Sequence, residues 1–195
     1  MPMPIRLASL PDHLPQAAVN ALQRSIGGLR LPALATAKAG SLKMALAHPV
    51  YDMSAADVVA GRRLDAAVLT AWRQLIEHEG VPSATVELPV GAPSDRFTVV
   101  NGPLVAGLAA AVTRAVELPH VGSEGSFELR VLRVSALYAE LLWLSSRSEA
   151  HHDVLLPIAP APPPLDPGKT YGADDALAAL RETAAHRTLD ERPAP

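Results

Sequence analysis

The strongest constraint on the fold comes from residues 126–158, the most apolar part of the chain. Phe127, Leu129 and Val131 alternate there with charged side chains. A period of two places all three apolar side chains on one face of a β-strand, whereas a helix would need a period near 3.6. We therefore predict a meander of three consecutive antiparallel strands within residues 126–158.

The middle strand of this meander admits two interpretations. Residues 137–144 are almost continuously hydrophobic, and Glu140 interrupts them. A helix over residues 136–144 is the alternative, because Leu137 and Leu141 also fit one helical face. We predict a strand, and the proposed architecture depends on that choice.

Four further segments have the apolar spacing of helices. They cover residues 15–27, 62–79, 104–117 and 173–187. The second has the most regular apolar stripe, which consists of Leu64, Val68, Ala71, Trp72, Leu75 and Ile76. The side chains expected to face away from the core are Asp65, Arg73, Gln74, Glu77 and His78. Together these elements predict an α+β fold, an antiparallel sheet with about four helices packed on one side of it.

Shorter signals complete the predicted element order. Ser54 and Asp57 form a pair that resembles a capping box at the start of a short helix, which Gly61 separates from the longer one. Pro49 is expected to end the strand before it. Strands are predicted over residues 42–46, 84–88 and 97–100.

The prolines divide the chain. Six of the 19 prolines fall between Pro157 and Pro167, a density that favours extended polyproline II conformation. We expect this segment either to cross a face of the domain or to act as a linker. The predicted organisation is a single α+β domain over residues 1–158, the proline-rich segment 159–172, a C-terminal helix 173–188 and a disordered tail 189–195.

Composition excludes several classes of function. The chain has no cysteine, so disulfides, thiolate metal sites and cysteine nucleophiles are excluded. A net charge of -3 gives no basic surface for nucleic acid. The longest strongly apolar run, residues 104–112, is half a membrane span, so we expect no membrane insertion. The abundance of Ala, Pro and Arg is typical of a bacterial protein, and we predict a soluble, cytoplasmic one.

One cluster has the chemistry of a metal site. His151, His152 and Asp153 offer imidazole and carboxylate ligands, which suit zinc, iron or manganese. Neighbouring residues of a strand point to opposite faces, so the cluster could share one ion only in a loop. Residues 145–152 are predicted to be such a loop, and a small metal-dependent enzyme is therefore one alternative function.

Three residues of the predicted middle strand are candidates for binding. Glu140 lies on the face of Tyr138 and Leu142 if the strand prediction holds, and it would be either part of an exposed face or a buried functional carboxylate. Trp143 belongs to the opposite face, where it would be core or, if exposed, an interface anchor. The candidate binding residues are thus Tyr138, Glu140 and Trp143.

The known catalytic motifs are incomplete in this sequence. A phosphate-binding loop ending at Gly168 would need glycine at Pro163, and a zinc-protease helix beginning at His78 would need histidine at Pro82. We therefore expect a non-catalytic interaction or assembly protein that binds a protein partner, itself or both, and that uses no cofactor. A carrier of a small apolar ligand is a further alternative, with a pocket lined by Trp72, Leu75, Tyr138 and Leu142.

Overall fold

The computed structural model describes residues 5–8, 11, 18–19, 22, 41–93, 96–118, 127–147 and 152–190. The strands in these ranges are β1 (Ile5–Arg6), β2 (Leu42–Asp52), β3 (Val68–His78), β4 (Val81–Pro89), β5 (Thr98–Val100), β6 (Phe127–Val134), β7 (Ala139–Ser146), β8 (Val154–Pro157) and β9 (Tyr171–Gly172). The helices are α1 (Ala55–Val59), α2 (Pro103–Glu117) and α3 (Ala173–Asp190). Single 3₁₀ turns cover Leu64–Ala66 and Ser135–Leu137.

The nine strands form one mixed sheet in the order β5-β4-β3-β2-β6-β7-β8-β9. Neighbouring strands in this order are antiparallel except β2 and β6, which are parallel. β1 also pairs with β6 in parallel, beside Phe127 and Glu128, while β2 pairs with β6 further along, from Val131 to Arg133. The fold class is therefore α+β, as the sequence predicts, with a mostly antiparallel sheet.

The predicted meander is confirmed as β6, β7 and β8. The helical alternative for its middle segment is wrong, because residues 139–146 form a strand paired on both sides. Leu141 and Leu142 are both fully buried although they point to opposite faces of the sheet. Packing on both faces explains why the hydrophobic run is almost continuous.

The predicted helix over residues 62–79 is wrong. Residues 68–78 form strand β3, which pairs with β2 and β4 in the middle of one half of the sheet. Leu75 and Ile76 are buried on opposite faces of the sheet. Apolar residues therefore occupy adjacent positions in the sequence, and their spacing resembles that of a helix with one apolar face. Arg73 and Gln74, expected to face solvent, are also buried. The short helix before this strand is confirmed as α1. The Oγ of Ser54, the residue that precedes this helix, accepts a hydrogen bond from the backbone N–H of Asp57 at 3.0 Å.

Pro49 does not end the strand that contains it. β2 continues to Asp52, and Pro49 lies opposite Trp72 of β3. β2 pairs with β6 only from Val50 onward. The missing backbone N–H of Pro49 therefore costs no hydrogen bond between these two strands. The strands predicted over residues 84–88 and 97–100 are confirmed as β4 and β5.

Helices pack on both faces of the sheet, and the prediction that they share one side is wrong. α2 packs on the face that carries Leu142 and Leu156, while α3 packs on the face that carries Leu141 and Leu155. The helices predicted over residues 104–117 and 173–187 are confirmed. The described residues contain three helices rather than about four, and the prediction over residues 15–27 lies mostly outside them.

The proline-rich segment passes from one face of the sheet to the other. Ile158 belongs to the core under α2, whereas Leu165 belongs to the core under α3. A Cβ on Gly107 of α2 would lie 2.0 Å from the carbonyl oxygen of Ala159, so only glycine allows this close approach. Thr183 Oγ1 of α3 also donates to the Pro163 carbonyl at 2.9 Å.

Candidate functional site

Five strands bring their ends together at one end of the sheet. β2 and β6 run in parallel, and β3, β4 and β7 are connected to them by antiparallel pairing. The C-terminal ends of β2, β4 and β6 therefore meet the N-terminal ends of β3 and β7. We call this region the sheet end.

A set of alternating charges lies just inside the sheet end, on the face covered by α2. We call it the charge network, and it consists of Asp52 (β2), Arg73 (β3), Glu87 (β4), Arg133 (β6) and Glu140 (β7). Arg73 donates to Glu140 at 2.5 and 2.9 Å and to Glu87 at 2.8 and 3.0 Å. Arg133 donates to the other oxygen of Glu87 at 2.6 Å and to Asp52 at 2.6 and 3.1 Å. Each residue of the network comes from a different strand.

The carboxylates of the network offset the free-energy cost of burying the two arginine charges. Arg73 is only 3% exposed. Burial alone would lower the pKa of the Arg73 guanidinium, but its hydrogen bonds and charge interactions with Glu140 and Glu87 raise it above the usual value. The pKa of Arg133 is raised as well, because its bonds to Asp52 and Glu87 outweigh its desolvation. Both arginines therefore stay charged.

The carboxylates of the network are committed to these arginines. Asp52, Glu87 and Glu140 each accept at both of their oxygens. Charge-assisted hydrogen bonds are short and strong, so the arrangement suits fixing the positions of the strands.

His48 adds a buried polar group next to the network. It lies directly opposite Arg73 in the pairing of β2 with β3, and it is fully buried. Neither ring nitrogen of His48 has a hydrogen-bond partner among the described residues. Burial, with a smaller contribution from the charge of Arg73, lowers the pKa of His48 to about 3, so the ring is neutral near pH 7.

Three exposed apolar side chains lie at the sheet end. Val68, at the start of β3, is 63% exposed, and Val90, just after β4, is 51% exposed. Tyr138, in the turn between β6 and β7, is 76% exposed and adopts a left-handed backbone conformation with φ 52°. Val90 N donates to the carbonyl of Thr70, which places Val90 beside the start of β3.

The three predicted binding residues have different environments. Tyr138 and Glu140 both lie at the sheet end, the first on its surface and the second in the charge network. Trp143 lies in the core under α3, 4% exposed, as the core interpretation expects. Its Nε1–H donates to Asp153 at 2.9 Å, and its ring packs edge-on against Tyr51.

The metal hypothesis concerns a different region. Asp153 accepts from the Trp143 indole and from the backbone N–H of Ser146 at 2.7 Å, which ties it to the β7–β8 hairpin. His152 lines a groove of about 900 Å³ beside the start of α3, and His151 lies outside the described residues. Within the described ranges, no three histidine or carboxylate side chains are grouped to hold a metal ion. The metal site stays a prediction.

The four side chains expected to line an apolar pocket do not share a cavity. Leu75 and Leu142 are buried in the core under α2, whereas Trp72 packs in a separate cluster on the opposite face. Tyr138 is exposed at the sheet end. No apolar site therefore forms among these four residues.

Sequence reasoning missed most of the charge network. It singled out Glu140 as an acid inside an apolar run, but it gave Glu140 no partner. The predicted helix places Arg73 on its solvent face, whereas this segment is in fact a strand. The signal that the sequence offers is Arg73 itself, a charged residue inside the apolar pattern of residues 68–78. A strand over this segment would bury Arg73.

No protein-family model, curated protein or solved structure matches this chain. Among the described residues, no helix has both the length and the hydropathy needed to cross a bilayer. The site must therefore be interpreted from its own geometry.

We expect Glu87→Gln to destabilise the fold by about 3 kcal/mol, because Glu87 accepts from both arginines and a glutamine would turn an N–H₂ donor toward one of them. Glu77→Gln is the matched control, since the Glu77 pair with Lys43 is long (3.8 Å) and the lysine is 78% exposed. The control should change stability by less than about 1 kcal/mol. Urea unfolding monitored by circular dichroism measures both changes, and equal effects would contradict this role of Glu87.

His48 should make stability depend on pH. Its folded-state pKa of about 3 lies below the usual histidine value of 6.5, so between these values the unfolded chain binds a proton that the folded chain does not. The His48 contribution is therefore complete above pH 6.5 and is lost by about 1.4 kcal/mol per unit as the pH falls toward 3. His48→Leu removes this loss, so the variant should gain stability relative to the native chain as acidity increases. Parallel stability curves from pH 7 to pH 4 would show that His48 does not titrate this way.

Proposed function

We propose that this protein is a non-catalytic interaction or assembly protein that binds a protein partner at the sheet end. The observation that supports this function most is that Val68, Val90 and Tyr138, all exposed, lie at the same end of the sheet as the charge network. Half of the large hydrophobic side chains that are exposed in the described part of the chain lie there. Exposed apolar side chains that occur singly are ordinary, whereas several at one end of a sheet favour an interaction surface.

The dimensions of the sheet end suit a protein partner. Val90 follows β4 and Tyr138 precedes β7, and these strands are separated by four inter-strand spacings. The surface is therefore about 19 Å wide along the sheet.

The charge network makes this surface rigid before a partner arrives. Five strand ends are joined by short hydrogen bonds between side chains, so few degrees of freedom remain to be lost on binding. Tyr138 offers a large amphipathic side chain of the kind that often anchors interfaces. Its positive φ is uncommon for a non-glycine residue and is often associated with function.

The test is to place a photo-crosslinking amino acid at position 68 or position 138 of the full chain in its native host. We expect covalent adducts with a defined protein from both positions. Position 81 is the matched control, since Val81 is 62% exposed, as Val68 is 63% exposed, but lies at the opposite end of β4 from the sheet end. Adducts of equal abundance from position 81, or none from positions 68 and 138, would contradict the proposal.

A further inference from the structure

We infer that Arg130 and Arg147 form a binding site for the carboxylate of a small organic acid, on the face of the sheet that α3 covers. Arg130 lies on β6 directly opposite Trp143 of β7, so both side chains are on that face. The charge network occupies the other face. This site is therefore separate from the interaction surface proposed at the sheet end and goes beyond it.

Two aromatic side chains and one carboxylate hold the Arg130 guanidinium. Its central carbon lies 5.1 Å from the centre of the Tyr51 ring and 4.9 Å from the centre of the Trp143 ring. The Nε of Arg130 donates to Glu128 Oε1 at 2.9 Å. The Trp143 ring is fixed in turn, because its Nε1–H donates to Asp153. The guanidinium is therefore oriented before a ligand binds, and little side-chain entropy remains to be lost.

The two terminal nitrogens of Arg130, Nη1 and Nη2, remain available as donors. The bond to Glu128 uses only Nε, and Arg130 makes no further hydrogen bond within the described part of the chain. The only buried side-chain atoms without a partner there belong to His48, so both nitrogens are accessible to solvent. The whole Arg130 side chain is 24% exposed. A planar fork of this kind matches the two oxygens of a carboxylate.

Arg147 supplies a second positive charge beside this fork. Glu128 accepts from Arg130 at Oε1, and its other oxygen, Oε2, lies 4.0 Å from Nη1 of Arg147. The Arg147 side chain is 48% exposed and loosely paired, so it can turn toward an anion bound by Arg130. Glu128 thus keeps both arginines on the same side of the site.

The surrounding charges favour a ligand with a single negative charge. The two arginines balance the charges of Glu128 and Asp153, so a monocarboxylate adds one net negative charge, whereas a phosphate dianion adds two. Three further acids, Asp65, Asp174 and Asp175, line the groove that borders Arg147. Their repulsion acts more strongly on a dianion, which favours a carboxylate over phosphate.

The groove of about 900 Å³ beside the start of α3 offers space for the rest of the ligand. Ser146, Arg147 and Asp153 line it where it borders the β7–β8 hairpin, and Leu64 and Leu177 add apolar side chains to its lining. Cavities of this volume are typical of sites for small molecules. The expected ligand is thus a small acid with a short apolar body.

The test is a titration of hexanoate into the purified full-length chain, followed by NMR of the arginine Nε–Hε signals. We expect the Arg130 signal to shift saturably, with a dissociation constant on the order of 1 mM. Arg62 is the internal control, because it is exposed and does not line the groove, and its signal should show no saturable shift. Hexanamide, which lacks the charge, should leave the Arg130 signal unchanged. Inorganic phosphate should bind at least about tenfold more weakly than hexanoate.

Two substitutions test whether the planar fork is what binds. Arg130→Lys keeps the positive charge but removes the paired donors, so we expect it to raise the dissociation constant for hexanoate about tenfold or more. Arg62→Lys is the matched control and should stay within about twofold of the native value. Thermal unfolding of both variants checks that the fold is retained.

Four outcomes would overturn the carboxylate site: no saturable shift of Arg130, equal shifts of Arg130 and Arg62, phosphate binding as tight as that of hexanoate, or unchanged affinity in Arg130→Lys. The first and third use the native chain alone, so they hold even if a variant fails to fold. Crosslinking from positions 68 and 138 reports on the sheet end only. Failure of one proposal therefore leaves the other standing.

Discussion

The salt bridge between Arg73 and Glu140 joins two strands that are three positions apart in the sheet. Their backbones are separated by about 14 Å, so only two long side chains extended over the sheet can make this contact. The salt bridge between Glu87 of β4 and Arg133 of β6 also joins strands three positions apart, but here the arginine and the acid lie on exchanged sides of the sheet. The two pairs cross the junction between β2 and β6, where the parallel pairing links the two antiparallel halves of the sheet.

This junction explains why buried charge is retained inside the fold. β2 and β6 pair over only three residues, which gives the junction few backbone hydrogen bonds. Buried ion pairs add little net stability compared with apolar packing, but these pairs form only when β3 lies three positions from β7 and β4 three positions from β6. The network therefore fits this strand order, and it places a charged centre at the end of the sheet where the exposed apolar residues lie. Interaction at that end would follow from the same contacts that specify the architecture.

The sequence predicts a strand correctly where apolar and charged residues alternate, and it fails for one strand that is buried on both faces and contains a charge. Phe127, Leu129 and Val131 alternate with charges, and their strand is confirmed. β3 is buried on both faces and contains Arg73, so its pattern has no period of two and resembles a helix. Glu87 and Glu140, which compensate Arg73, lie 14 and 67 residues away in the sequence. No local pattern reveals such distant compensation, and the candidate site could not be assembled from the sequence for that reason.

Residue-resolved hydrogen exchange of the native chain tests most directly whether the network holds the sheet end as one unit. The backbone amides of Met53, Val90 and Ile158 donate to the carbonyls of Arg133, Thr70 and Glu140, and all three bonds lie at this end. If the network fixes the strand ends, these amides exchange only through global unfolding, with the same opening free energy as amides in the centre of the sheet. Fast exchange of the three amides through local fraying would contradict the account.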